Sequence, residues 1–68
     1  MSYGIKFGIL VMCRYDDGFM EPEGTVIFDN LNPPIGTKVK LCDGREWTVV
    51  EDNMNREYNP HIVCELIK

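Results

Sequence analysis

The chain has 68 residues, and its eleven acidic and seven basic residues give a formal net charge of −4. This length predicts one small domain over residues 1–68, with too little stability to spare for a strained and deeply buried catalytic site. The acidic balance lacks the positive surface that sequence-independent nucleic-acid binding requires. No apolar run is long enough to span a membrane, and residues 1–6 lack the regions of a signal peptide, so we expect a cytoplasmic protein.

The first predicted strand covers residues 5–15, where apolar side chains occur at every second position. Because strand side chains alternate between two faces, the odd-numbered residues are expected to face the core. These are Ile5, Phe7, Ile9, Val11, Cys13 and Tyr15. The strand ends at Asp16-Asp17-Gly18, and residues 14–24 are expected to form an irregular loop, because Glu21-Pro22-Glu23-Gly24 is rich in turn formers and has no apolar period.

Shorter elements follow along the chain. Thr25–Phe28 is a β-branched run that predicts a short strand. Residues 29–36 contain Asn32-Pro33-Pro34 and are predicted to form a loop, because proline lacks the N–H donor that a helix or a central strand needs. Residues 52–60 are predicted to form a polar loop with room for one helical turn, and residues 61–67 to form the last strand.

A hairpin is predicted around Asp43-Gly44, which lies between two alternating apolar runs. A two-residue loop would bring apolar side chains before the turn onto the same face as polar ones after it. A three-residue loop over 42–44 instead pairs Val39 with Trp47 and gives one apolar face, which contains Val39, Leu41, Trp47 and Val49. Gly44 then takes the left-handed conformation that closes a type I turn with a bulge.

The order of these strands and loops resembles that of a Src-homology-3-like barrel over nearly the whole chain. The resemblance implies that 14–24 is that family's long first loop and 42–44 its distal hairpin. The stretches similar to elements of the proline-peptide-binding members are Arg14-Tyr15-Asp16-Asp17, the acidic Glu21 and Glu23, and Tyr58-Asn59-Pro60. Those members expose paired tryptophans, whereas Trp47 falls on the predicted inner face, so polyproline binding is disfavoured. The fold expected is an all-β, five-stranded small barrel.

Metal binding and catalysis are not expected. Three widely spaced cysteines, Cys13, Cys42 and Cys64, do not form a disulfide framework. His61 and Cys64 are three residues apart and would point to opposite faces of a strand, so four zinc ligands do not converge. Nothing in the spacing supports a Cys–His dyad, and the carboxylates of Asp16-Asp17 sit in a turn that favours aspartate for backbone reasons. We therefore expect no catalytic role, metal or cofactor.

Apolar residues in excess of the predicted core are the more informative feature. They are Leu10, Met12, Phe19, Met20, Ile27, Val50, Val63 and Ile67. Either a tightly curved barrel buries both faces of its first strand, or some of these residues form a surface for a partner or for self-association.

We therefore expect a non-catalytic protein-binding module that docks a larger, basic cytoplasmic partner. The residues predicted to make the contact are Tyr15, Asp16, Asp17, Phe19, Met20, Glu21 and Glu23. The small size and the acidity suit an accessory or inhibitory protein of a phage or mobile element. The alternative is a nucleic-acid-binding barrel that uses Lys38 and Lys40 together with exposed aromatic residues, drawn from Tyr3, Tyr15, Phe19 and Tyr58.

Overall fold

The fold is seen in a computed structural model, which describes residues 4–41 and 43–67. The described chain contains five β-strands and no helix, so the predicted all-β class is confirmed. The strands are β1 (Phe7–Arg14), β2 (Met20–Phe28), β3 (Lys38–Lys40), β4 (Glu46–Asn53) and β5 (His61–Leu66). They form one sheet in the order β2-β1-β5-β4-β3, which curls into a half-barrel.

The neighbouring strands β1 and β5 are parallel, whereas every other neighbouring pair in the sheet is antiparallel. A parallel pair cannot be joined by a short turn, and here the rest of the described sheet lies between β1 and β5 in sequence. The order also leaves β2 and β3 as the two edges of the sheet.

The β3–β4 hairpin has the predicted three-residue loop. Val39 is the register partner of Trp47. The Leu41 N–H donates to the Arg45 carbonyl at 3.2 Å, and the Gly44 N–H donates to the Leu41 carbonyl at 2.9 Å. Gly44 has a φ of 82°, the left-handed conformation that the sequence predicted. Cys42, in the same turn, lies outside the described residues.

The core lies on the concave face of the half-barrel, where the predicted alternation is confirmed for most positions. Its buried side chains are Ile9, Val11, Cys13, Val39, Leu41, Trp47, Val49, Ile62 and Cys64. Phe7 and Tyr15 are half-buried and pack against this cluster. The prediction for Ile5 was wrong, because this residue precedes β1 and is 74% exposed.

The irregular loop predicted over 14–24 was also wrong, and so was the long first loop that the family resemblance implied. The chain reverses in a tight turn, in which the Tyr15 N–H donates to the Phe19 carbonyl at 2.8 Å and the Gly18 N–H donates to the Tyr15 carbonyl at 2.9 Å. Strand β2 then begins at Met20. Its register slips opposite Val11 and Met12, where a bulge accommodates the residues that had indicated a loop.

The convex face explains part of the apolar excess. Val63 is 1% exposed and lies in register between Met12 of β1 and Glu51 of β4. The Arg14 guanidinium reaches from β1 across β5 to the Glu51 carboxylate at 2.6 Å, and thus spans the strand that carries Val63. Leu10, Met12 and Val50 are half-buried. Four of the predicted residues remain exposed, namely Phe19, Met20, Ile27 and Ile67.

The two remaining connections follow the predictions closely. Residues 29–37 form bends and turns, with Pro33 buried. Strand β4 runs to Asn53, and residues 54–60 form turns without the helical turn for which the sequence left room. No helix in the described part of the chain could cross a membrane.

Candidate partner-binding cleft

Two similar turns lie at one end of the half-barrel, which we call the turn end. Strands β1, β3 and β5 run in the same direction, because β1 is parallel to β5 and two antiparallel pairings separate β5 from β3. The turn after β1 (15–19) and the turn after β3 (41–45) therefore meet at the same end. In each, an aspartate accepts from the N–H two residues later at 2.9 Å: Asp17 from Phe19, and Asp43 from Arg45.

Aromatic side chains at the turn end extend from the core to solvent. Trp47 is 1% exposed, Tyr15 is half-buried and Phe19 is 59% exposed. The Tyr15 ring meets Trp47 edge-on, with centroids 5.6 Å apart, and its centroid lies 6.2 Å from that of Phe19. Aromatic pairs of this kind stabilise the fold by more than the burial of their apolar area alone provides. Phe19 is therefore an exposed ring that packs on Tyr15, and Tyr15 in turn packs on the buried Trp47.

A cation caps the buried end of this aromatic stack. The Arg45 guanidinium lies 5.3 Å from the centre of the Trp47 ring, and its Nε donates to the Asp43 carboxylate at 2.7 Å. The pKa of Asp43 is lowered, first by the hydrogen bond from the Arg45 N–H and then by the Arg45 side chain. The indole nitrogen of Trp47 is buried and has no hydrogen-bond partner among the described residues.

A cleft of about 490 Å³ opens beside Phe19. Its lining consists of Arg14, Tyr15, Asp16, Asp17, Phe19, Glu21 and Leu66. The structure therefore brings five of the seven predicted contact residues to one cavity. The other two do not line it: Met20 is exposed beside its register partner Arg14, and Glu23 lies in the bulge of β2.

The charge of the cleft is negative. Asp16, Asp17 and Glu21 contribute carboxylates. The guanidinium of Arg14 is already paired, since its nitrogens lie 2.7 Å from Glu65 and 2.6 Å from Glu51. Hydrogen bonds to Glu65 and then to Glu51 raise the pKa of Arg14. Arg14, the cation of the lining, is therefore paired with glutamates, and the other charged side chains of the lining are carboxylates.

The buried thiols lie next to each other in the core. Cys13 and Cys64 are register partners on the parallel strands β1 and β5, and both are free. Burial raises the pKa of Cys13 to about 11, with a further contribution from Glu23, and raises the pKa of Cys64 to about 12, with a contribution from Cys13. Thiols with such pKa values are protonated at neutral pH and are weak nucleophiles.

The ring of His61 lies between Asn59 of the preceding loop and Asn53 of β4. Its Nδ1 lies 2.7 Å from the Asn59 carbonyl, so a neutral ring can donate this proton and close the loop before β5. Its Nε2 lies 3.4 Å from the Asn53 side-chain nitrogen. Over residues 4–41 and 43–67, no three potential ligands among His, Cys, Asp and Glu are grouped as a metal site.

The residues of the alternative nucleic-acid site are not brought together. Lys38 and Lys40 line a second groove of about 470 Å³ between β2 and β3, whereas Tyr15 and Phe19 line the cleft at the turn end. Tyr58 is 78% exposed in the loop before β5, and Tyr3 lies outside the described residues.

Sequence reasoning missed Arg14 and Leu66 as part of the cleft. Leu66 reaches it because β5 lies beside β1, a long-range parallel pairing that no local pattern signals. A signal for the turn itself was present, since 15–19 and 41–45 share Asp-Gly at the same two positions.

Comparisons with protein-family models, with curated proteins and with solved structures found no match for this chain.

Proposed function

We propose that this protein is a non-catalytic binding module, which docks a larger cytoplasmic protein through the cleft at its turn end. The observation that carries the proposal is Phe19, a large aromatic side chain 59% exposed at a cleft that also contains Asp16, Asp17 and Glu21. Exposed aromatic side chains are frequent anchors in protein interfaces. Carboxylates around such an anchor favour a basic partner and accelerate its association.

The chemistry of the cleft suits an arginine side chain of the partner. The volume of about 490 Å³ lies within the usual range for ligand pockets and leaves room for neighbouring residues of the partner as well. A guanidinium can stack on the Tyr15 or Phe19 ring and at the same time pair with a carboxylate. A lysine would gain the charge attraction but not the planar stacking.

Two finer proposals rest on the order of the strands and on the size and charge of the chain. We propose that the half-barrel is a Src-homology-3-like barrel, because the order of strands along the chain resembles that family. We also propose that the protein assists or inhibits a host factor on behalf of a phage or mobile element, because a chain of 68 residues with a charge of −4 offers a binding surface and little room for chemistry.

Site-specific photo-cross-linking tests the proposed surface. A photoreactive phenylalanine analogue replaces Phe19 in one variant and Tyr58, an exposed residue of another loop, in the control. In host lysate, the proposal requires a protein adduct that forms from position 19, is weakened by Asp16→Asn with Glu21→Gln, and is absent from position 58. Equal adducts from both positions, or none from position 19, would contradict the assigned surface.

Nucleic-acid binding is the second candidate function, because Lys6, Lys38 and Lys40 line one groove. A mobility-shift assay on single- and double-stranded DNA and RNA at low salt separates the two functions. Tight binding that weakens steeply with salt and is lost in Lys38→Glu would favour the second candidate. Absence of a shift would leave the protein-binding proposal as the better account.

A further inference from the structure

The open side of the half-barrel is bordered by two unpaired strand edges. Strands β2 and β3 end the sheet, and the groove of about 470 Å³ lies between them. Residues Val26–Phe28 of β2 line one wall and Lys38–Lys40 of β3 line the other. An edge strand presents backbone N–H and C=O groups that can pair with another chain.

Only part of the β2 edge is suited to such pairing. In its first half, Pro22 has no N–H to donate, the register slips between Gly24 and Pro22, and Gly24 has a φ of 114°. Its second half, Thr25–Phe28, pairs with β1 in unbroken register. Proline and bulges are devices that protect an edge from added strands. The protected half therefore leaves Thr25–Phe28 as the accepting segment.

The groove is positively charged in an acidic protein. Lys6, Lys38 and Lys40 line it, and they are three of the seven basic residues in the chain. Lys6 pairs with Asp29 at one end of the groove. Lys38 and Lys40 are exposed and form no ion pair with a described residue. The charge of Lys38 is therefore available to a ligand, and that of Lys40 is offset in part by Glu46, its register partner.

We propose that this groove binds an acidic, extended segment of a partner protein, which adds as a strand along Thr25–Phe28 and places carboxylates beside Lys38 and Lys40. Main-chain hydrogen bonds provide affinity in this mode, and the side chains on either side provide specificity. The half-buried Val26 and the exposed Ile27 offer apolar contacts to alternate residues of the added strand. This surface shares no residue with the cleft at the turn end, so the proposal is independent of the one for the cleft, whereas it uses the same lysines as the second candidate function.

An NMR titration with a short, acetylated and amidated peptide that alternates glutamate and valine tests the proposal. We expect amide shifts at Thr25–Phe28 and at Lys38–Lys40, and slower hydrogen exchange within Thr25–Phe28. A peptide with the same sequence but N-methylated at alternate amides keeps its charge and loses the backbone N–H groups that would donate to the β2 edge. It should bind at least about tenfold more weakly if strand pairing supplies the affinity.

Charge variants provide a matched control. Lys38→Glu should weaken the peptide about tenfold, whereas Arg56→Glu, an equal change of charge in the loop before β5, should leave binding unchanged. Lys38 is preferred to Lys40 because its register partner is Thr48, whereas that of Lys40 is Glu46. A glutamate at position 40 would face a like charge.

Three outcomes would overturn the proposal. Equal binding of the N-methylated peptide would show attraction by charge alone. Displacement of the peptide by an equimolar amount of a thymidine oligonucleotide would identify the groove as a phosphate site. Protection of Thr25–Phe28 that appears without peptide and increases with protein concentration would show that a second copy of this chain occupies the edge.

Discussion

Replacing Gly44 by alanine tests the left-handed turn that sets the register of the β3–β4 hairpin. Gly44 has a φ of 82°, and a Cβ added there meets nothing within 4 Å. The substitution therefore adds no clash, and its cost is the backbone conformation alone. A side-chain-bearing residue in the left-handed region costs about 1–2 kcal/mol, which is a large share of the roughly 3–10 kcal/mol expected for a chain of this length.

The measurement is urea denaturation, monitored through the fluorescence of Trp47, which is the one tryptophan in the sequence. Trp47 is 1% exposed in the fold, so its emission reports exposure of the core. We expect a lower midpoint with an unchanged slope, and a melting temperature lower by about 4–8 °C for each kcal/mol lost. Gly44→Asn should cost less, because asparagine tolerates this region better than alanine.

Two further glycines supply the controls. Gly18 has a φ of 87° in the matching turn after β1, so Gly18→Ala should cost a similar amount. Gly4 precedes β1 with no positive φ and open space around its Cβ position, so Gly4→Ala should change stability by a few tenths of a kcal/mol at most. If Gly44→Ala behaves like Gly4→Ala, glycine conformation does not hold the turn, and the argument from register fails.

Three other predictions follow from single contacts. In Gly8→Ala the new Cβ lies 2.9 Å from the Thr25 Cγ2 atom, so stability should fall by about 1 kcal/mol and be restored by adding Thr25→Ser, as measured by urea denaturation. Arg14→Met should cause a small loss that disappears at high salt, because its ion pairs are partly exposed; a salt-independent loss would assign the stabilisation to packing instead. Raised pKa values favour the protonated Cys13 and Cys64 thiols in the fold, so stability should hold below pH 9.0 and decline as the pH rises toward about 11 to 12; a Cys13→Ala, Cys64→Ala variant should show a flatter profile.

The part of the fold that the sequence predicted is the part governed by neighbouring residues. Alternation placed Ile9, Val11 and Cys13 in the core, and the choice between two loop lengths placed Val39 opposite Trp47. Both inferences need only the two-residue period of a strand and the conformational freedom of one glycine. Neither requires knowledge of where the rest of the chain lies.

Strand β2 shows where local reasoning failed. Pro22 and Gly24 are unfavourable in a central strand, and they indicated a loop. In the structure β2 is an edge strand that pairs on one side with β1, and the register slips between Gly24 and Pro22, where a bulge accommodates them. The position of a strand within the sheet is a tertiary property. A local pattern therefore could not distinguish a blunted edge strand from a loop.

The candidate cleft was predicted in part for the same reason. Tyr15 to Glu21 are close in sequence, so a hairpin of any kind keeps them together. Leu66 joins them through the parallel pairing of β1 and β5, and the same pairing draws Arg14 toward Glu65. Without that pairing, Arg14 would have seemed a free cation on the acidic surface. With it, the arginine is paired with Glu65, while Asp16, Asp17 and Glu21 give the cleft its negative charge.

The connection between the two edges of the half-barrel is hydrogen-bonded to β4 where it leads into β3. The Gly36 N–H donates to the Val49 carbonyl at 2.8 Å, and the Val49 N–H donates to the Thr37 carbonyl at 2.9 Å. These bonds attach the end of the connection to β4 and extend the pairing of β3 on that side. Pro33 and Pro34 lack donors and therefore cannot extend β2 with ladder bonds of their own. These contacts hold the β3 wall of the groove against β4 before any ligand arrives, so that wall would need little ordering when a strand is added.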